Sequence, residues 1–158
     1  MKTLQSVRIK PNPAGKDRTR SGANATQLGA EWVDVKNVGS YDVDLTGVSL
    51  YHRAYEPDGY SWKWALVMSF RGTLRPGQVL RVHSGSGPES ALNSEDRIGA
   101  EFHWFTNRDR YTWNNDRSDC AALWESGASS ALDQACYDAP PPEGVVLVRV
   151  GSQFVPSR

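Results

Sequence analysis

Between residues 7 and 150 the apolar side chains come in short runs, and glycine, proline or asparagine breaks most of them. In residues 31–37, Val33 and Val35 share one parity while Asp34 and Lys36 share the other, and in residues 79–83 Leu80 and Val82 repeat the pattern. A period of two places successive side chains on opposite faces of an extended chain, so both segments read as half-buried strands. Further strands are expected at 7–10, 43–45, 48–52, 62–70, 102–105, 120–125, 131–137 and 145–150. No segment carries a helical period for a useful length, and residues 88–97 have room for one short helical turn. Many short strands without intervening helices point to an all-β sandwich or barrel. The Gly-, Ser- and Arg-rich residues 14–29 read as a long loop. Ala139-Pro140-Pro141-Pro142 lacks the donors for a ladder and reads as a rigid linker before the last strand. The expected organisation is a single domain over residues 1–158, with a core from about 7 to 137.

A chain of 158 residues is long enough to bury a core without disulfides or metals. Its 18 basic and 18 acidic residues cancel, which excludes a generally basic nucleic-acid binder on bulk charge. The placement is uneven. Lys2, Arg8, Lys10, Lys16, Arg18 and Arg20 oppose only Asp17 in the first twenty residues. Six acidic residues oppose only Arg117 between 116 and 143. Such polarity reads either as ordinary solvation or as complementary contact between copies. No stretch approaches the ~20 apolar residues of a membrane span. The first residues carry no apolar signal-peptide core, so the expected location is inside a cell or within an assembled particle, unless a leader has been removed.

Few residues suggest chemistry. His52, His83 and His103 have no metal-ligand spacing. Ser84-Gly85-Ser86-Gly87 lacks the Gly-Lys-Ser/Thr ending of a phosphate loop, and no nucleophile elbow is present. Asp109, Asn114, Asn115, Asp116 and Asp119 supply oxygens in the manner of a calcium loop, without EF-hand spacing. No base, nucleophile, metal set or cofactor site can be named, so the chain reads as no enzyme. Cys120 and Cys136 bracket a hairpin; a turn centred on Ala128 sets them opposite one another and Trp124 opposite Leu132. That register is compatible with a disulfide and equally with two free thiols, and a bridge would indicate an oxidising environment. Tyr55, Tyr60, Trp62 and Trp64 sit on an aromatic-rich protrusion suited to anchoring a protein partner. Lys10, Lys16, Arg18 and Arg20 are the candidates for the alternative, contact with nucleic acid.

A family likeness rests on several segments taken together. These are residues 9–17 (Ile-Lys-Pro-Asn-Pro-Ala-Gly-Lys-Asp), 31–39 (Glu-Trp-Val-Asp-Val-Lys-Asn-Val-Gly) and 43–50 (Val-Asp-Leu-Thr-Gly-Val-Ser-Leu). Gly72-Thr73-Leu74-Arg75-Pro76-Gly77, residues 82–87 and Trp113-Asn114-Asn115-Asp116 complete the set. In this order they resemble the bacterial form of the lamin-tail domain. The resemblance implies an immunoglobulin-like β-sandwich, here of about eight or nine short strands with long loops. It also implies an interaction module rather than a catalyst. The expected role is a non-catalytic protein-interaction or assembly module that binds a protein partner or other copies of itself, as in a structural subunit of a larger particle. A nucleic-acid adaptor is the second expectation and an accessory domain of a secreted enzyme the third.

Overall fold

The computed structural model describes residues 2–14 and 23–157. Its strands are β1 (Leu4–Lys10), β2 (Trp32–Asn37), β3 (Val43–Asp44), β4 (Val48–Tyr55), β5 (Trp62–Ser69) and β6 (Thr73–Leu74), followed by β7 (Val79–His83), β8 (Phe102–Phe105), β9 (Asp119–Glu125), β10 (Asp133–Tyr137), β11 (Leu147–Val150) and β12 (Gln153–Pro156). Two single-turn helices, α1 (Ala25–Gly29) and α2 (Ser94–Arg97), and a 3₁₀ turn at Glu89–Ala91 accompany them.

Ten strands form one curled sheet in the order β5-β4-β9-β10-β12-β11-β1-β2-β7-β8, and β3 pairs separately with β6. The pairings are antiparallel except β7 with β8 and β10 with β12. The curl brings two halves face to face, β5-β4-β9-β10 against β1-β2-β7-β8, which makes the fold an immunoglobulin-like sandwich. Between the halves lie Ile9, Val33, Val35, Leu50, Leu80, Leu123 and Tyr137, each at most 1 % exposed. These are the inward residues that alternation selects, and their burial is the main stabilising term.

The structure departs from the sequence reading in five places. The strand count exceeds the expected number, because the sequence reading lacks the two-residue β6 and lacks β12, which follows the expected last strand. Residues 14–29 are not all loop: Asn24 caps α1, its side chain accepting from Gln27 N while Gln27 returns a bond to Asn24 N. Residues 88–97 hold two turns where one was expected.

The fourth difference concerns β2, which is buried on both faces. The crossover from β7 to β8 and the helix α1 cover its outer side. Asp34 there is fully buried. Arg81 grips both its carboxylate oxygens, Nε at 2.6 Å and Nη2 at 2.9 Å, and Arg8 Nε lies 3.0 Å away. The Arg81 guanidinium also stacks 3.7 Å above the Trp32 ring. Beside it Asp96 accepts from Lys10 Nζ at 2.7 Å and from Trp32 Nε1 at 2.9 Å. A buried charge is tolerated only when paired in this way.

The Pro-rich segment leads into a hairpin rather than a lone strand. β11 and β12 pair with each other and fill the place between β1 and β10. Arg149 fixes the hairpin with a two-pronged bond to Asp133, at 2.7 and 2.8 Å, and donates to Ser6 O at 2.9 Å.

Candidate partner-binding face

Leu50 of β4 and Leu123 of β9 point into the core, so alternation sends Tyr51, Arg53 and Tyr55 of β4 and Trp124 of β9 outward. β5 pairs with β4 in a register that sets Leu66 opposite Tyr51, Trp64 opposite Arg53 and Trp62 opposite Tyr55. The outer face of this half therefore carries three tryptophans, two tyrosines and an arginine where a water-facing antiparallel sheet ordinarily carries polar residues.

The rings interlock. Trp62 meets Trp64 at 4.9 Å, Trp64 meets Trp124 at 5.4 Å and Trp124 meets Tyr51 at 5.9 Å, all edge to face. Ring quadrupoles favour this geometry, which holds each ring in place. Arg53 lies 4.4 Å over the Trp62 ring. Its Nη1 and the Tyr55 hydroxyl both reach Ser118. Trp62 and Leu66 stay 37 % and 42 % exposed. At the β9 end the face falls into an open depression of about 550 Å³, walled by Tyr51, Trp64 and Trp124 and edged by Ser49, Ser69 and Glu125.

Tyr60 stands apart, at the tip of the β4–β5 turn and 87 % exposed. That turn is firmly built. Asp58 accepts at 2.8 Å from Tyr60 N, Ser61 N and Ser61 Oγ, and these bonds hold its carboxyl below the usual range.

Of the four residues expected to bind a partner, the structure thus gathers Tyr55, Trp62 and Trp64 on one face and sets Tyr60 at its rim. Sequence reasoning did not place Trp124 or Leu66 there. The parity of Cys120, Ala122 and Trp124 in β9 is the signal that would have found the first.

Cys120 lies directly opposite Cys136, and the two sulfurs are bonded, with Cα atoms 4.0 Å apart. By the same alternation the bridge lies on the outer side of β9 and β10. Lys10, by contrast, is 6 % exposed and committed to Asp96, so it offers no charge to a phosphate backbone. Lys16, Arg18 and Arg20 lie outside the described residues.

The polar residues buried beneath this face act as braces. Asp119 accepts from Arg53 N, Cys120 N, Asn114 N, Asn114 Nδ2 and His52 Nδ1 at 2.7–3.0 Å. Its lone pairs are thereby spent, which removes it from the calcium-loop reading of this stretch. Glu31 accepts from Ser84 Oγ, Thr112 N and Trp113 N. Burial, then the nearby Asp119, pushes the Tyr137 phenol up, and it donates to Asn114 O at 2.6 Å. Together these bonds pin residues 112–119 to the end of the sandwich. Among the described residues no three His, Cys, Asp or Glu side chains converge as a metal site.

Two histidines that sequence spacing kept apart do meet. His83 Nδ1 lies 2.6 Å from Gly29 O, and His83 Nε2 lies 2.8 Å from His103 Nδ1. A carbonyl only accepts, so His83 Nδ1 carries the hydrogen and Nε2 receives the one on His103 Nδ1. The pair ties α1 to β7 and β8. The Ser84–Gly87 segment is likewise structural: a Cβ on Gly85, which has φ +90°, would come within 2.8 Å of Leu28 Cβ.

An immunoglobulin-like sandwich with one covered outer face and one aromatic, open outer face defines the fold class of the protein. The sequence pattern described as Lamin Tail Domain matches residues 6–138, and the chain belongs to that family, whose immunoglobulin-like domains often mediate protein interactions. No curated protein matches the chain. No helix among the described residues is long and apolar enough to cross a membrane.

Proposed function

We propose that the chain is a non-catalytic protein-interaction and assembly module that docks partners, other copies of itself included, on the outer face of β5-β4-β9-β10. The observation that carries this reading is the interlocked set Tyr51, Arg53, Trp62, Trp64 and Trp124 on an uncovered sheet face. Trp, Tyr and Arg dominate binding hot spots, and rings already held in place lose little entropy on docking.

The buried polar groups support a role without catalysis. Asp119 and Glu31 are used up by internal donors, and His83 is held at about 3, far from the near-neutral value a general base needs. The Cys120–Cys136 bridge supports work in an oxidising setting, outside a cell or in an assembled particle. The withdrawal of Lys10 into the fold keeps nucleic acid the second choice.

The test compares the wild type with Tyr60→Ala and Trp62→Ala, both at exposed positions. Capture of partners from native extract and solution mass by light scattering, at low and high salt, are the readouts. A loss of about tenfold in capture or in self-association is expected if these are hot-spot residues. Capture and mass unchanged in both variants would sink the reading.

A further inference from the structure

β5 ends the sheet, and among the described residues no strand lies beside its outer edge. Which backbone groups point there follows from the register. Glu56 N donates to Ser61 O at 2.8 Å, so Glu56 and Ser61 form a bonded pair across the hairpin. Bonded and non-bonded pairs alternate along an antiparallel ladder. Ala54 with Lys63 and His52 with Ala65 are therefore bonded, while Trp62, Trp64 and Leu66 turn their N–H and C=O groups away from β4. Leu66 O confirms the direction, since Arg108 Nη2 reaches it from outside at 3.0 Å. Among the described residues, the remaining outward groups of Trp62, Trp64 and Leu66 have no partner.

Apart from Arg108 and a bulge at Val67, beyond the stretch from Trp62 to Leu66, the usual protections of an edge are sparse here. β5 is eight residues long, contains no proline and carries one charge, Lys63. Long apolar edges of this kind pair with other strands unless blocked.

We infer that the occupant of this edge is the β5 strand of a second copy of the chain, laid antiparallel about a two-fold axis through Trp64. The inference rests on the reading of the outer face as an interaction surface, and adds to it the partner and the register. In this register Trp64 faces Trp64, Trp62 faces Leu66 and Lys63 faces Ala65, so no like charges oppose each other. Aromatic and aliphatic cross-strand pairs of this type are favourable. Every outward group of one copy meets an outward group of the other, giving about six backbone hydrogen bonds. Two of these require Arg108 to leave Leu66 O, which makes Arg108 the guard of the edge. The chain's zero net charge puts no overall repulsion between copies. The two outer faces become one continuous aromatic surface.

The test is sedimentation of the purified, oxidised full chain from micromolar to near-millimolar concentration, on the wild type and three variants. Leu66→Pro deletes only an outward N–H, a position where an edge strand accepts proline. Leu66→Val keeps that N–H. Arg108→Ala frees Leu66 O. The expected result is a reversible dimer that Leu66→Pro weakens at least about tenfold relative to Leu66→Val, and that Arg108→Ala tightens. A wild type and an Arg108→Ala variant that both stay monomeric overturn the inference, even if Leu66→Pro fails to fold. A dimer equally strong in Leu66→Pro and Leu66→Val overturns it too. If that dimer still responds to Trp62→Ala, the edge has failed and the face has not.

Discussion

Acid should weaken this fold through one side chain before the exposed charges are considered. His83 is fully buried, stacked on Phe105 at 5.1 Å and bonded at both ring nitrogens. A second proton would have to sit on Nε2, where the His103 hydrogen already points. Burial lowers its pKa to about 3, against an upward pull from the bond to Gly29, while His103 and Arg81 add smaller downward pushes. The folded state therefore refuses a proton that the unfolded chain accepts below pH ~6.5. Stability from this group is complete above ~6.5 and is lost as pH falls toward about 3. The slope is roughly 1.4 kcal/mol per pH unit, so pH 7 to ~4.5 costs about 2–3 kcal/mol. His103 is also shifted down, chiefly by burial, and adds in the same direction. The experiment is urea unfolding of the wild type and His83→Asn at both pH values. Asparagine keeps a donor for Gly29 and does not titrate, while the carboxylates common to both chains cancel. The stability gap between them should narrow by about 2–3 kcal/mol on acidification. A gap that stays constant would refute the argument.

Two further outcomes follow from the buried network and the bridge. Asp34→Ala leaves Arg81 buried without its carboxylate and should cost about 3–5 kcal/mol in chemical denaturation, and a loss below about 1 kcal/mol would show that Trp32 and the neighbouring carbonyls suffice. Reducing the Cys120–Cys136 bridge, which closes a separation of 16 residues, should lower stability by about 3 kcal/mol, and thiol labelling of the unfolded, unreduced chain should find no free cysteine.

The strands that face the core were legible because burial on one side imposes a period of two, as Val33, Val35, Leu80 and Val82 show. The 120–136 register was legible too, since a hairpin's turn fixes which residues oppose. What alternation does not reveal is the nature of the other side. Asp34 and Lys36 look alike in the sequence, yet Asp34 meets a buried Arg81 from β7 while Lys36 stays partly exposed. Much of the cover over Asp34 comes from Arg81 and the β7–β8 crossover, 47 positions or more downstream, and no local pattern announces it. The aromatic face divides in the same way. Tyr55, Trp62 and Trp64 crowd together along the chain, whereas Trp124 joins them only because β9 packs beside β4. His83 and His103 show no relation until a parallel pairing brings β8 alongside β7.

The hairpin of β11 and β12 bears on the order in which the molecule can be made. The family match ends at residue 138, yet the strands that join the two halves of the sheet run from Leu147 to Pro156. A ribosome delivers β1 and β10 before the piece that connects them. Until that piece emerges, β1 and β10 each present an open margin to the surroundings, and the sandwich is two flaps without a hinge. The nascent chain therefore depends on the stretch from Leu147 to Pro156, made after both of the strands it joins, to become closed to its neighbours along that line.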